Sequence, residues 1–342
     1  MRVFVFEFVS GGGLADAPLP PSLAAEGRAM WSAVARDFSA IADARVVTTR
    51  DPRIAPLPHG IEQRVAESVA SERDLFREEC AAADVILVIA PELGGELQRR
   101  IERADALRRP DSVLLNCPPA VVRIAADKWL TFETLDQRGI PTISTHRLSN
   151  DVPPFPLPWV VKPRLGAGSQ DVALVQSLDR LGGALTEAPG LAEPDAAIIQ
   201  PFVAGRSLSC LALFDAAGAL VDLAPVAEQR LSDDGRFRYL GGRIPADVDP
   251  APLQALALSA AAALSAGAQA PCVGPIGFDF VQAADGTLQV VDINPRLTTS
   301  YVGCRRLATH NLFASLLALE AGPRGWGREP VEFSVADLAA AL

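Results

Sequence analysis

Histidine is nearly absent: His59, His146 and His310 are the three in 342 residues. None stands at a metal-ligand spacing, which excludes a histidine-built zinc centre and leaves no basis for a Ser/His/Asp triad. The five cysteines (Cys80, Cys117, Cys210, Cys272 and Cys304) are odd in number and scattered, with no CxxC pair. They are expected as small buried thiols in a reducing compartment. No long basic tract occurs and the formal net charge is −10, so nucleic acid is not an expected partner. Nor is there a run of about 18 strongly apolar residues. The Ala-rich stretch 251–268 is interrupted by Gln254, Ser259 and Ser265 and reads as a packed helix. Glu7 breaks the apolar N-terminus, which reads as a first strand rather than a signal-peptide core. A cytoplasmic chain away from membranes is the expectation. Two familiar phosphate-binding patterns are also missing. There is no G-x-x-x-x-G-K-[ST] loop, and Ser10-Gly11-Gly12-Gly13 does not make G-x-G-x-x-G, which counts against a Rossmann oxidoreductase.

What is present is a globular composition, 49% hydrophobic and 21% charged, with length for about two or three compact units. In so acidic a chain, binding a polyanion requires cations gathered locally, so individual Lys and Arg residues carry weight. Over residues 1–116 strands alternate with helices. The pattern predicts strands at 3–9, 45–48, 84–90 and 112–116, and helices at 22–38, 61–82 and 92–107. The continuous apolar run Asp84-Val-Ile-Leu-Val-Ile-Ala90 suits a strand buried on both faces of a parallel sheet. This alternation argues for an open, doubly wound α/β domain. A helix at 119–138 is stopped by Gly139-Ile140-Pro141. Pro153, Pro154, Pro156 and Pro158 then form a stiff connector. A small α+β unit follows, with strands at 159–163, 171–176 and 196–200 and a helix at 177–186. The remainder mixes strands at 207–214, 219–224, 276–281 and 287–292 with helices near 251–267 and 308–321.

Four segments carry chemistry. In the first, Gly277-Phe278-Asp279-Phe280-Val281 and Leu288-Gln-Val-Val-Asp292-Ile293-Asn294-Pro295-Arg296 flank the turn Asp285-Gly286. A hairpin there sets Asp279 beside Asp292 and puts Asp292, Asn294 and Arg296 on one face. Three oxygen-bearing side chains then converge as Mg²⁺ prefers, with Arg296 placed to clamp phosphate or carboxylate oxygens. Isolated, Asp279 reads as an ordinary strand-end acid; as a set among apolar strands, these residues read as a site. Second, Val160-Val161-Lys162-Pro163-Arg164-Leu165-Gly166-Ala167-Gly168-Ser169 delivers a lysine into a glycine turn whose backbone N–H groups can approach phosphate. Third, Asp127-Lys128 lies on a helix, where a plain surface ion pair is the simpler reading. Fourth, Ile198-Ile199-Gln200-Pro201-Phe202-Val203-Ala204-Gly205-Arg206-Ser207 is a strand entering a short hinge, either an interdomain connector or a reader of an adenine edge.

In this order, over about 116–300, the segments resemble the ATP-grasp superfamily. The resemblance implies an α/β fold: an N-terminal Rossmann-like pre-ATP-grasp domain (1–116), then a two-lobed α+β ATP-grasp domain. The lobes would be a lid subdomain (117–203) and a C-terminal subdomain with the Mg site (204–342). It implies that Lys128 and Lys162 contact the phosphates of ATP, that Gly166, Gly168 and Ser169 lie in the lid over them, and that Gln200, Phe202 and Val203 line the adenine hinge. Asp279, Asp292 and Asn294 would bind Mg²⁺, with Mn²⁺ the alternative. Arg296, Arg238 and Arg243 would steady the reacting phosphate. Many members have Glu at the positions of Gln200 and Ser207. Without the acid at Ser207, ribose recognition lacks its usual partner. Asp292 replaces a commoner Glu, so the metal would sit about 1 Å closer to the strand.

Phe6-Glu7-Phe8-Val9-Ser10-Gly11-Gly12-Gly13, Ala90-Pro91-Glu92 and Val291-Asp292-Ile293-Asn294-Pro295-Arg296-Leu297-Thr298 further resemble tyramine–glutamate ligases of methanofuran synthesis. The implied activity is ADP-forming ligation of a carboxylate to an amine through an acyl phosphate. The expected partners are small carboxylate and amine substrates, neither nucleic acid nor membrane, with a homodimer left open. Arg305 and Arg306 are candidates for a substrate carboxylate, or plain surface charge. A ligase for another amino acid or small carboxylate, and a non-catalytic nucleotide-binding regulator, are the competing readings.

Overall fold

The computed structural model describes residues 1–148, 153–188, 191, 193, 195–320 and 322–335. The alternating apolar runs of the first third form β1 (Arg2–Glu7), α1 (Pro21–Ser39), β2 (Arg45–Arg50), β3 (Glu62–Val65), α2 (Val69–Ala82), β4 (Val85–Ile89), α3 (Glu96–Leu107) and β5 (Val113–Leu114). Their five strands pair in parallel in the order β3-β2-β1-β4-β5. β1 and β4 are buried along almost their whole length, as strands covered on both faces must be. The helix expected over 61–82 is shorter. Residues 62–65 extend to pair with β2, and Ser68 starts α2 through a capping box with Ser71.

The helix expected over 119–138 is two, α4 (Pro119–Ala125) and α5 (Lys128–Asp136). Asp127 breaks it, because its carboxylate caps the N–H groups of Trp129 and Leu130 (3.0 and 3.2 Å). Both helices pack on α7 (Pro250–Ala268). Next comes a small antiparallel sheet of β6 (His146–Arg147), β7 (Trp159–Pro163), β8 (Ala173–Val175) and β9 (Ala197–Pro201), ordered β6-β9-β7-β8. With α6 (Leu178–Glu187) it closes its own core around Trp159, Val161, Val175 and Ile199.

The rest is a seven-stranded antiparallel sheet. It holds β10 (Gly205–Phe214), β11 (Leu220–Leu223), β12 (Ala227–Leu231), β13 (Tyr239–Ile244), β14 (Gly274–Ala283), β15 (Leu288–Asn294) and β16 (Val331–Ser334). The main path is β15-β14-β10-β12-β13-β16, with β11 beside β10. The helix expected near 308–321 is instead α8 (Tyr301–Leu307) and α9 (Leu312–Leu316), the second capped by Asn311. Among the described residues α7 alone is long and apolar enough to cross a membrane, and it packs Leu253, Leu256, Ala260 and Leu264 into the interior. The architecture is therefore a Rossmann-like α/β unit followed by a two-lobed α+β unit, whose two sheets face each other across a cavity.

Candidate active site

The cavity encloses about 650 Å³. Its floor is the large sheet at β10, β14 and β15; its roof is β7 with the glycine turn that follows, and the hinge 200–203 joins the two. In the β14–β15 hairpin Asp279 faces Asp292 and Gly277 faces Asn294. A bulge follows, since Phe280 pairs with Val290 and leaves Val291 extra. Both Val291 and Asp292 thereby line the cavity. Asn294 Nδ2 donates to Asp279 Oδ2 (2.9 Å), and Gln229 Nε2 on β12 donates to Asp279 Oδ1 (2.8 Å).

Two lysines meet these acids from the roof side. Lys128, at the first turn of α5, places Nζ 3.1 Å from Asp292 Oδ2 and donates to Gly166 O (2.9 Å). The expected surface pair with Asp127 is absent, because Asp127 is held by Arg164 at 2.8 Å. Lys162 is buried, with Nζ 3.5 Å from Val291 O. Burial pulls its pKa down to about 8 although Asp292 and Asp279 favour the charge; Lys128 adds to the depression. Burial, then the neighbouring charge of Asp292, push Asp279 up to about 6 against its hydrogen bonds and Lys162. Two crowded carboxylates and two cations gather at this end of the cavity.

The other predicted positions follow the roof and hinge. Gly166, Gly168 and Ser169 line the cavity, and Ser169 Oγ donates to Phe237 O (2.7 Å) in the turn between β12 and β13. Gln200, Phe202, Val203 and Ser207 line it as well. Gln200 Nε2 donates to Thr145 Oγ1 (2.9 Å), and the Phe202 and Phe237 rings lie 5.9 Å apart.

A family model described as the ATP-grasp domain matches residues 125–300, and one described as the pre ATP-grasp 3 domain matches 44–122. The chain belongs to the ATP-grasp family. A D-alanine–D-alanine ligase from Anaeromyxobacter dehalogenans (strain 2CP-C) is 30% identical over 163 residues, which are 46% of this chain. That match spans 50% of the ligase's own length. Among solved structures, an ATP-grasp superfamily protein from Archaeoglobus fulgidus aligns with TM-score 0.66 at 21% identity, covering 94% of this chain and 89% of that one. The N5-carboxyaminoimidazole synthetase from Staphylococcus aureus, complexed with ADP, aligns with TM-score 0.69 at 13% identity, covering 94% and 78%. At such identities the structures speak for the fold alone.

Four arginines of this ATP-grasp chain are placed differently from expectation. Arg296 lines the cavity, but its guanidinium is held by Glu92 through two 2.9 Å hydrogen bonds, and its Nη1 donates to Leu297 O. Arg238 is exposed, paired with Asp234, and lines a neighbouring recess instead. Arg243 lies on β13 opposite Glu228 and lines neither space. Arg305, read as a candidate for a substrate carboxylate, is bound to Asp37 of α1 and lines neither.

Several cavity residues escaped sequence reasoning. Gln229 lies on a strand the pattern did not reveal. Glu26 of α1 lines both spaces and accepts hydrogen bonds from Thr299 (3.0 Å) and Ser22 (3.2 Å), while burial raises its pKa. Glu228 also reaches the cavity, where Arg206 engages both its oxygens, and Asp233 lines it as well. Among the described residues no three His, Cys, Asp or Glu side chains gather as a metal cage. Magnesium needs no such cage, since it keeps water and phosphate ligands beside one or two carboxylates. The adjacent Asp279 and Asp292, with Asn294, fit that demand.

Proposed function

We propose that the chain is an ATP-dependent, ADP-forming ligase that joins a carboxylate to an amine through an acyl phosphate. The observation that carries this reading is the convergence of Asp279, Asp292, Asn294, Lys128 and Lys162 at one end of a cavity closed by a glycine turn. ATP would lie with its base by Gln200, Phe202 and Val203 and its phosphates under Lys128, Lys162 and the turn at Gly166, Gly168 and Ser169. Asp279, Asp292 and Asn294 would hold Mg²⁺, which would supply charge neutralisation between the phosphates and the incoming carboxylate. Ser207 would border the ribose without an acid. A substrate carboxylate oxygen attacks the γ-phosphorus and ADP leaves; the amine nitrogen then attacks the acyl carbon, phosphate leaves, and the amine gives up a proton. The residues contribute chiefly position and positive charge, with the turn keeping water from the acyl phosphate. Arg296 enters through its field, because Glu92 holds its guanidinium. Arg238 and Arg243 are left out of the set, since neither lines the cavity.

We also propose residues 1–116, 117–203 and 204–342 as the working units, a cytoplasmic location, and a tyramine- or tyrosine-like amine joined to glutamate. The related ligase named for D-alanine supports an amino acid as one substrate. A coupled assay over an amino acid and amine panel tests the reading. ADP and phosphate should appear only when acid and amine are both present. AMP and pyrophosphate would sink the acyl-phosphate route, and full turnover by Asp292→Ala would remove Asp292 from the site.

A further inference from the structure

The hinge end of the cavity holds a polar relay with one allowed orientation. Thr145 and Gln200 are both buried, 7% and 6% exposed. In the antiparallel pairing of β6 with β9, His146 faces Ile199, which sets Thr145 across from Gln200. Thr145 Oγ1 donates its single proton to the carbonyl oxygen of buried Ile143 (2.9 Å). A hydroxyl has one proton, so toward Gln200 this oxygen can only accept. The Gln200 amide must therefore present Nε2 to Thr145, at 2.9 Å, and turn Oε1 the other way. Reversing the amide would take the Thr145 proton from Ile143 O and leave a buried carbonyl unpaired, which is unfavourable. Gln200 lines the cavity together with apolar Ile143, Val160, Phe202 and Val203, whereas the lysines and carboxylates lie toward the glycine turn. A flat, apolar-faced base suits the first end and phosphates the second.

We propose that Thr145 is a positioning residue that fixes Gln200 as a hydrogen-bond acceptor, and that this pair selects a base carrying an amino group on the edge it meets. A 6-amino purine donates to Gln200 Oε1; a 6-oxo purine sets an acceptor against an acceptor. The inference rests on the proposed ATP site and adds the device by which the base is chosen. A neutral amide, which could face either way, is thereby given one direction by a residue outside the hinge.

Binding of MgATP and MgITP, which differ at position 6 of the base, is the direct test and needs no knowledge of the acid or amine. Wild-type protein should bind ITP at least about tenfold more weakly than ATP. In Thr145→Val the amide is free to turn, and the ratio should fall below about threefold. Thr145→Ser keeps the hydroxyl and should keep the wild-type ratio. Gln200→Glu has no donor to turn inward, so it should discriminate at least as well as wild type. Gln200→Glu placed on Thr145→Val should restore the lost discrimination, which a packing role for Thr145 does not predict. Equal weakening of both nucleotides in Thr145→Val with an unchanged ratio overturns the inference, as does loss of discrimination in Gln200→Glu. Wild type that binds neither nucleotide sinks the ATP reading itself, a different result from binding with an unchanged ratio.

Discussion

Asp279 carries a charge that its surroundings disfavour. Its folded pKa, near 6, lies above the ordinary 3.8, because burial and Asp292 oppose ionisation. A raised acid contributes stability that is present below the unfolded value and lost as pH rises through the folded one. At pH 7 the protein without metal therefore bears a penalty that Asp279→Asn should relieve by roughly 1–3 kcal/mol, and the gain should vanish by about pH 4. Urea melts at the two pH values measure it. Added Mg²⁺ should stabilise wild type and leave the variant unmoved; a less stable Asp279→Asn at pH 7 would contradict the argument. Lys162 titrates on the alkaline side. It is charged below about 8, and bound phosphates would raise that value. Affinity for MgATP should then be constant at lower pH and weaken by up to about tenfold per pH unit above 8. Lys162→Met should bind weakly with no such limb. At this scale the acidic end of the cavity was legible, because a two-residue spacing on a strand decides which side chains share a face. Glu92, Thr145 and Gln229 were not, since they reach Arg296, Gln200 and Asp279 across 204, 55 and 50 residues and no local pattern encodes such contacts.

The glycine turn roofs the cavity, and it is latched at both ends. Lys128 donates to Gly166 O, Ser169 donates to Phe237 O, and Leu174 N donates to Gly235 O. Gly168 has φ +65, and Ser169 holds φ +56 without glycine's freedom, so its side-chain hydrogen bond helps to keep that conformation. Ser169→Ala should free the turn, speeding nucleotide release about fivefold, the worth of roughly one hydrogen bond. Stopped flow with a fluorescent ATP analogue reads the rate. The melting temperature should stay within about a degree, because little buried area is lost. An unchanged release rate would show that the latch does not govern the turn. The glycine turn and strand-borne Lys162 were readable in sequence because Gly and Pro punctuate them. Long helical patterns misled where polar residues cut them. Ser68 starts α2 later than the pattern implies, Asp127 divides 119–138, and Asn311 opens α9. Short side chains that cap N–H groups end one helix or begin another while the apolar period runs on. Strand β12, with polar residues on both faces, and β13, broken by Gly241-Gly242, offered no clear alternation to read.

Across the whole molecule, Arg296 ties the Rossmann-like unit to the β14–β15 hairpin. Glu92, just beyond β4, is 3% exposed, and Arg296, just beyond β15, is 11% exposed at the side chain. The same guanidinium also favours the charged forms of Glu7 and Glu26, whose pKa values are raised chiefly by burial. A second tie runs from Asp37 of α1 to Arg305 and the Tyr301 hydroxyl on α8. Packing reinforces both: at Gly274 (φ +73) a Cβ would fall 2.2 Å from Leu115 O. The sequence spacing set Arg296 near Asp292 and Asn294, and all three line the cavity. Glu92 stood within a motif, but the sequence gave no sign of its pairing with Arg296, because a contact across 204 residues leaves no local pattern. The consequence is specific. Arg296→Met removes the cation from four acids, Glu92, Glu7, Glu26 and Asp292, whereas Glu92→Gln takes away one acid and leaves the cation in place. Arg296→Met should destabilise by about 3–5 kcal/mol at pH 7, the usual result of leaving a buried charge unpaired, and Glu92→Gln by less, because Glu26 and Asp292 still face the arginine. Their pH dependence should differ. Lowering pH toward 5 lets Glu7 and Glu26 take up protons, so the Arg296→Met deficit should shrink. The arginine stays charged throughout, so the Glu92→Gln deficit should persist. Denaturant midpoints for the two variants at pH 5 and 7 separate these outcomes. An Arg296→Met deficit that is the same at both pH values would mean that Arg296 holds the units together by packing, not by neutralising the acids around it.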